Sequence, residues 1–144
     1  MTTKFVVGYD GSAASRRALD FAMERAKAGG ASIIVAHVLE WSPYSFLTPT
    51  EIEERHKRRA EEMARAETAI LAPLKAELAG SGVEIETAIR YGQVADTLCD
   101  IATKSGAAQI FIARQGESGL AARVFGSVAG TLAQYAPVPC TIVP

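Results

Sequence analysis

Gly116, Gly119, Gly126 and Ser127 punctuate one loop in a pattern that suits the holding of phosphate groups. The stretch opens with the apolar run Ile110 to Ala113, loosens at Gly116 and Gly119, and regains order at Gly126-Ser127. Ile110 to Ala113 reads as a buried strand, and Ser127 is a good N-cap for a helical pattern over 128–136. A glycine loop from a strand's carboxyl end to a helix amino end favours anions. The first N–H groups of a helix lack partners, point outward and sit at the positive end of its dipole. Plain structural loops also look like this, so the stretch alone leaves both readings open.

The remaining chemistry-bearing residues do not assemble into a catalytic set. No Ser/His/Asp arrangement or metal-spaced cluster is recognisable. No Gly-Lys-Ser/Thr follows a glycine run, so a Walker loop is absent. His37 lies in an apolar run and reads as a satisfied core residue, while His56 sits in a mixed-charge stretch and reads as exposed. Cys99 and Cys140 are too few for a disulfide framework and read as small hydrophobes. The 15 basic and 16 acidic side chains leave a net charge of −1. Nothing there suggests a nucleic-acid footprint.

The elements that must position the loop can be read in order. Lys4 to Asp10 is a strand apolar until Asp10, and Ser12 caps a helix with the apolar stripe Ala14, Ala18, Leu19, Ala22 and Ala26. Gly29-Gly30 stops that helix. Ser32 to Val38 is a second continuous apolar strand. The segment 41–49 carries two prolines and three aromatics and reads as an irregular excursion that closes over the core or covers a ligand. From Thr50 a long helix follows, with the stripe Ile52, Met63, Ala66, Ile70, Leu74 and Leu78. Pro73 should kink or interrupt it near Ala69. Val83 to Ile89 alternates as an outer strand would. Gln93 to Lys104 is a helix, and Cys140 to Val143 a last short strand.

The order β-α-β-α-β-α-β-α-β specifies an α/β fold, a single domain over residues 1–144 with a parallel sheet covered by helices on both faces. Ligands in such folds bind outside the carboxyl ends of the strands, where strand order reverses. Asp10-Gly11-Ser12, Val38 and the loop from Ala113 to Ser127 converge there. No apolar run approaches the roughly 18–20 residues of a membrane span. The first residues run straight into a strand without a signal-peptide pattern, so the expected location is cytoplasmic.

Over essentially its whole length the chain resembles the universal stress protein family. The resemblance rests on Val6-Val-Gly-Tyr-Asp-Gly-Ser12, Ala36-His-Val38, Gly92-Gln-Val-Ala-Asp-Thr-Leu98, Gly116 followed after nine residues by Gly126-Ser127-Val128, and Tyr135-Ala-Pro-Val-Pro139. It implies an open, Rossmann-like five-stranded sheet of order 3-2-1-4-5 and commonly a homodimer through the last strands. Thr141 to Val143 would be an apolar edge with no lysine or inward charge to protect it, which agrees; Pro139 and Pro144 could equally protect a short edge.

One branch of that family binds ATP through Gly-x2-Gly-x9-Gly-Ser/Thr, and this chain reads Ala113-x2-Gly116-x9-Gly126-Ser127. By resemblance, Asp10 would contact adenine or ribose and Val38 would lie near the adenine. Gly116, Gly126, Ser127 and the Val128 amide would cradle ribose and phosphates of ATP or another adenine nucleotide, with or without Mg. Three features depart from the pattern. Ala113 replaces the first glycine, Glu117 adds a negative charge that Arg114 and Arg123 can offset, and Ala129 lacks a hydroxyl common after Gly-Ser-Val. The implied act is regulatory, ligand ordering the loop and altering a neighbouring surface, with slow ATP hydrolysis at most.

Two related classes lack their residues. A phosphorelay receiver needs clustered acids after strand one and a lysine near strand five; Asp10 stands alone and no lysine follows Lys104. A dinucleotide oxidoreductase needs Gly-x-Gly-x-x-Gly after strand one, which Gly8-Tyr-Asp-Gly11-Ser12 does not supply. A dimeric stress-response protein that acts through unknown protein partners without nucleotide stays open beside the nucleotide reading.

Overall fold

Residues 2–40, 48–114 and 127–144 are described by a computed structural model. The strands are β1 (Lys4–Gly8), β2 (Ser32–Glu40), β3 (Ile85–Gly92), β4 (Gln109–Ala113) and β5 (Cys140–Val143). They form one sheet in the order β3-β2-β1-β4-β5, every pairing parallel, as expected. The helices are α1 (Ala13–Gly29), α2 (Pro49–Ala66), α3 (Ala72–Leu78), α4 (Val94–Ser105) and α5 (Ser127–Tyr135).

Successive side chains of a strand point to opposite faces, so a central strand must be apolar throughout. In β1, Val7 enters one core with Leu19, Ala22 and Leu71, and Val6 enters the other with Leu98, Ile101 and Leu132; both valines are fully buried. The first core holds Phe111, the largest fully buried side chain among the described residues, whose ring stands 5.0 Å from Phe5 and 6.1 Å from Phe21. β3, at the sheet edge, has no fully buried residue: Glu86 and Arg90 are exposed and the other six are half-buried. Its bounds differ from the expected Val83 to Ile89. β2 runs on to Glu40, and β3 follows it to the pair Glu40↔Gly92, while Val83 is buried ahead of the strand.

The helix after Pro49 is interrupted around Ala69, as Pro73 led one to expect, but its buried face departs from the expected stripe. Between α2 and α3 lies a π-helical turn, Glu67–Leu71, in which the Ala72 N–H reaches back to the Glu67 carbonyl. Pro73 donates no hydrogen bond and its ring crowds the carbonyl four residues earlier, at Ala69; widening the turn relieves both. The extra residue per turn reassigns the buried face. Ala66 is followed inward by Leu71, then Leu74 and Leu78, while Ile70 is half-buried. The expected stripe fails further upstream, where Ile52 is 42% and Met63 36% exposed. In α2 only Ala66 is buried.

No helix among the described residues is long and apolar enough to cross a membrane.

Candidate functional site at the carboxyl ends of β1, β2 and β4

β1 lies between β2 and β4, and the chain leaves it in opposite directions across the sheet, so the reversal of strand order falls here. Asp10 and Val38 each stand two residues beyond the Gly8↔Ala36 pair, and Ala113 two beyond Val7↔Phe111. Three of the expected residues are therefore brought together along one rim of the sheet. α5 begins at Ser127, putting the amides of Ser127 and Val128 at a helix start as anticipated. Gly116, Gly126, Glu117 and Arg123 lie outside the described residues.

The turn after β1 is tightly specified. The Tyr9 amide still donates to Ala36 O at 2.9 Å, as if the strand continued. Gly11 then takes φ +84°, a left-handed conformation that a side chain resists. Ser12 caps α1, its hydroxyl accepting the Ser15 amide at 3.1 Å. The Ser12 amide donates to Asp10 Oδ1 at 2.9 Å, an Asx-turn contact in which the side chain substitutes for a backbone acceptor. Burial pushes the Asp10 carboxyl up, but hydrogen bonds from Ser12 and Ser15 outweigh it and hold the group below the usual aspartate value. Asp10 is therefore ionised near neutrality.

Beneath the turn the packing is close. A Cβ on Gly8 would stand 3.2 Å from both Ile112 Cγ2 and Leu98 Cδ1, so β1 approaches α4 and β4 with little room. His37 is buried, and its Nδ1 lies 2.8 Å from Tyr9 O. A carbonyl can only accept, so Nδ1 carries the proton and supports the Tyr9-Asp10 backbone from β2. That agrees with a satisfied core histidine.

Val38 is half-buried and packs at the margin of the second core. It presents an apolar surface level with Asp10. Ala113 is half-buried and pairs with Val143 on β5; next to it the exposed Arg114 donates its amide to Val143 O at 2.8 Å. Val128 is half-buried. Ala129 is 1% exposed and packs with Leu132 and Leu98 in the second core. Its missing hydroxyl is thus accounted for by packing, since that side chain points into the protein.

Two residues belong to this neighbourhood that the sequence reading did not place there: Ser15, which it did not name, and Ile70, which it gave to the apolar stripe of the long helix. Ser15 is buried on α1, where the apolar stripe predicted Ala14, and its hydroxyl reaches Asp10 and Ser12. A serine three residues after the cap, in phase with Leu19 and Ala22, was the available signal. Ile70 reaches the turn from the π-helical segment: its Cδ1 and Cγ2 lie 3.8 Å from where a Gly11 Cβ would stand. No periodic pattern would have placed it there.

Among the described residues no group of three or more His, Cys, Asp or Glu could hold a metal ion. Burial raises the thiol pKa values of both Cys99 and Cys140, with Asp96 adding to the first and Cys99 to the second, which favours the protonated thiol.

Comparison with known proteins agrees with the fold. A family model described as "Universal stress protein family" matches residues 1–144. Universal stress protein YxiE of Bacillus subtilis is 30% identical over 147 residues, covering 99% of each chain. The solved universal stress protein UspA from Lactobacillus plantarum superposes with a TM-score of 0.83 at 24% identity, over 99% of this chain and 97% of that one. A universal stress protein solved in complex with cAMP has a TM-score of 0.66 at 26% identity, over 99% of this chain and 97% of that one.

Proposed function

The chain belongs to the universal stress protein family, and from that premise we propose that it is a stress-response protein that binds an adenine nucleotide, ATP foremost, at the carboxyl ends of β1, β2 and β4. The act is regulatory rather than catalytic. The observation that carries the reading is the alignment of Asp10, Val38 and Ala113 along one rim, at the reversal of strand order, in a chain whose α5 starts at Ser127. That a relative 26% identical has been solved with cAMP supports an adenine nucleotide as the ligand class.

Each residue then has a physical part. The Ser12 amide occupies Asp10 Oδ1, leaving Oδ2 to accept from an amino or hydroxyl group of the ligand. Val38 offers an apolar face to the base. The Ser127 and Val128 amides, at the positive end of α5, meet phosphate oxygens. Gly116 and Gly126 allow the backbone to approach, and Mg accompanies ATP by screening its charge.

Calorimetric titration tests the reading, using AMP, ATP and Mg·ATP against the parent and a Gly126→Arg variant. Saturable heat in the parent that is lost in the variant supports it. Absence of binding at millimolar nucleotide in both would remove it.

A second reading, a protein that works through partners without nucleotide, draws on Ala113, whose methyl stands where the ATP-binding pattern has hydrogen. Both readings share a homodimer. β5 ends the sheet and pairs only with β4 among the described residues. A second copy of β5 is its proposed partner. Light scattering on the parent and an Ile142→Pro variant, which removes an N–H on the side of β5 facing away from β4, tests the pairing; a monomeric parent would refute it.

A further inference from the structure

Ser15 is an unusual residue for its place. It is 4% exposed on the buried face of α1, followed by Ala18, Leu19 and Ala22, where alanine would pack equally and favour the helix more. Burying a hydroxyl is costly unless its hydrogen bonds are all made. Here they are. Ser15 Oγ donates to Ser12 O at 3.0 Å and accepts from the Asp10 amide at 3.3 Å; the Ser12 hydroxyl lies 3.2 Å away, oriented to donate as well. One donor and two acceptor positions are used, the full capacity of a hydroxyl.

The consequence falls on Asp10. Its carboxylate is fixed by the Ser12 amide and its own amide by Ser15, so the residue is held at both ends. The second contact comes from Ser15, while the Ser12 hydroxyl accepts the Ser15 amide as the helix cap. Gly11, with its left-handed backbone, is free to open the turn unless something below it closes the loop. Ser15 is that closure.

We propose that Ser15 is a positioning residue for ligand binding, setting the direction of the Asp10 carboxylate before the nucleotide arrives. The inference rests on the nucleotide reading above, and extends it to a residue that never touches the ligand. A site assembled in advance spends less of its binding energy on ordering itself. The hydrogen bonds that orient the carboxylate also keep it charged. Ser12 contributes most to that charge state and Ser15 adds to it, so the buried hydroxyl has a share in both orientation and ionisation.

The experiment pairs Ser15→Ala with Ser15→Thr, each in the parent and in Asp10→Asn protein. Adenine nucleotide affinity is read by calorimetry, and the Asp10 carboxyl titration by carbon-detected NMR. Ser15→Ala is expected to weaken binding on the order of ten-fold, as for one lost preorganising contact. It should also raise the Asp10 midpoint, while Ser15→Thr, which keeps the hydroxyl, restores both. In Asp10→Asn protein, Ser15→Ala should have little further effect, because its influence runs through the carboxylate. Equal weakening in the two backgrounds would overturn the proposal, as would an unmoved Asp10 midpoint. If the parent binds no nucleotide, the functional reading fails. The midpoint then decides separately whether Ser15 orients Asp10.

Discussion

Ile70 stands against Gly11: its Cδ1 and Cγ2 lie 3.8 Å from the position a Gly11 Cβ would occupy. That is ordinary van der Waals contact, so space is not what requires glycine. The backbone is, since φ at Gly11 is +84°. Gly11→Ala should therefore destabilise the protein by about 1–2 kcal/mol, the cost of a left-handed non-glycine residue. Trimming the neighbour with Ile70→Ala should not recover it. Urea unfolding of the single and double variants checks this, and recovery in the double variant would mean that crowding was the cause.

Gly8 presents the opposite case. Its conformation is ordinary for a strand, but an added Cβ would meet Ile112 Cγ2 and Leu98 Cδ1 at 3.2 Å each. Gly8→Ala should cost about 1–3 kcal/mol through overpacking. Leu98→Ala alone should cost about 2–5 kcal/mol, because that side chain is fully buried. Together the two should cost less than their sum, since the cavity accepts the methyl. A double-mutant cycle by denaturant unfolding gives the coupling directly, and strict additivity would refute the contact.

Asp10 makes stability depend on acid. Its folded-state pKa lies below the unfolded value near 3.8. Its contribution is thus present above that value and lost as pH falls through the lower, folded-state one. The stability gap between the parent and Asp10→Asn should be constant from pH 5 to 7, to within about 0.5 kcal/mol, and shrink below about pH 4. Glu77 also has a lowered pKa, through its pairing with Arg16, but it is common to both proteins and cancels in the difference. A gap that widens on acidification would contradict the assignment.

Tyr135 gives a high-pH counterpart. Its hydroxyl donates to Asp96 on α4, and that hydrogen bond, with some desolvation, pushes its pKa up to about 12. Tyr91, by burial and by donating to Glu62, is also pushed up to about 12. Ultraviolet titration should show Tyr91 and Tyr135 ionising late, and Asp96→Asn should bring Tyr135 down and leave Tyr91 in place. Because both groups are raised, any stability they lend is present below about pH 10 and lost as pH rises toward 12.

Much of the fold was legible because β1, β2 and β4 are buried on both faces and must be apolar without interruption. Asp10 marked where β1 ends, and Gly29-Gly30 marked where α1 ends. The errors have physical sources. The interruption expected near Ala69 is present as a π turn that shifts the inward face onto Leu71, whereas the stripe named Ile52 and Met63 in the preceding helix, where both are exposed. The stripe read on α1 named Ala14, but Ser15, in phase with Leu19 and Ala22, is the buried residue, its hydroxyl satisfied by local hydrogen bonds to Ser12 and Asp10. In the site, Asp10, Val38 and Ala113 were legible from topology, since parallel strands align their ends. Ile70 was not, because its approach depends on a helix defect.

The most direct test of the central claim is a map of backbone amide shifts in isotopically labelled protein as AMP or Mg·ATP is added. Nucleotide at the carboxyl ends of β1, β2 and β4 should move Asp10, Gly11, Ser12, Val38, Ala113 and the Ser127–Val128 amides together, along one saturation curve. Amides of β3 and of the far ends of the strands, such as Lys4 and Gln109, should stay still. Shifts confined to another surface, or none at millimolar nucleotide, would contradict the account.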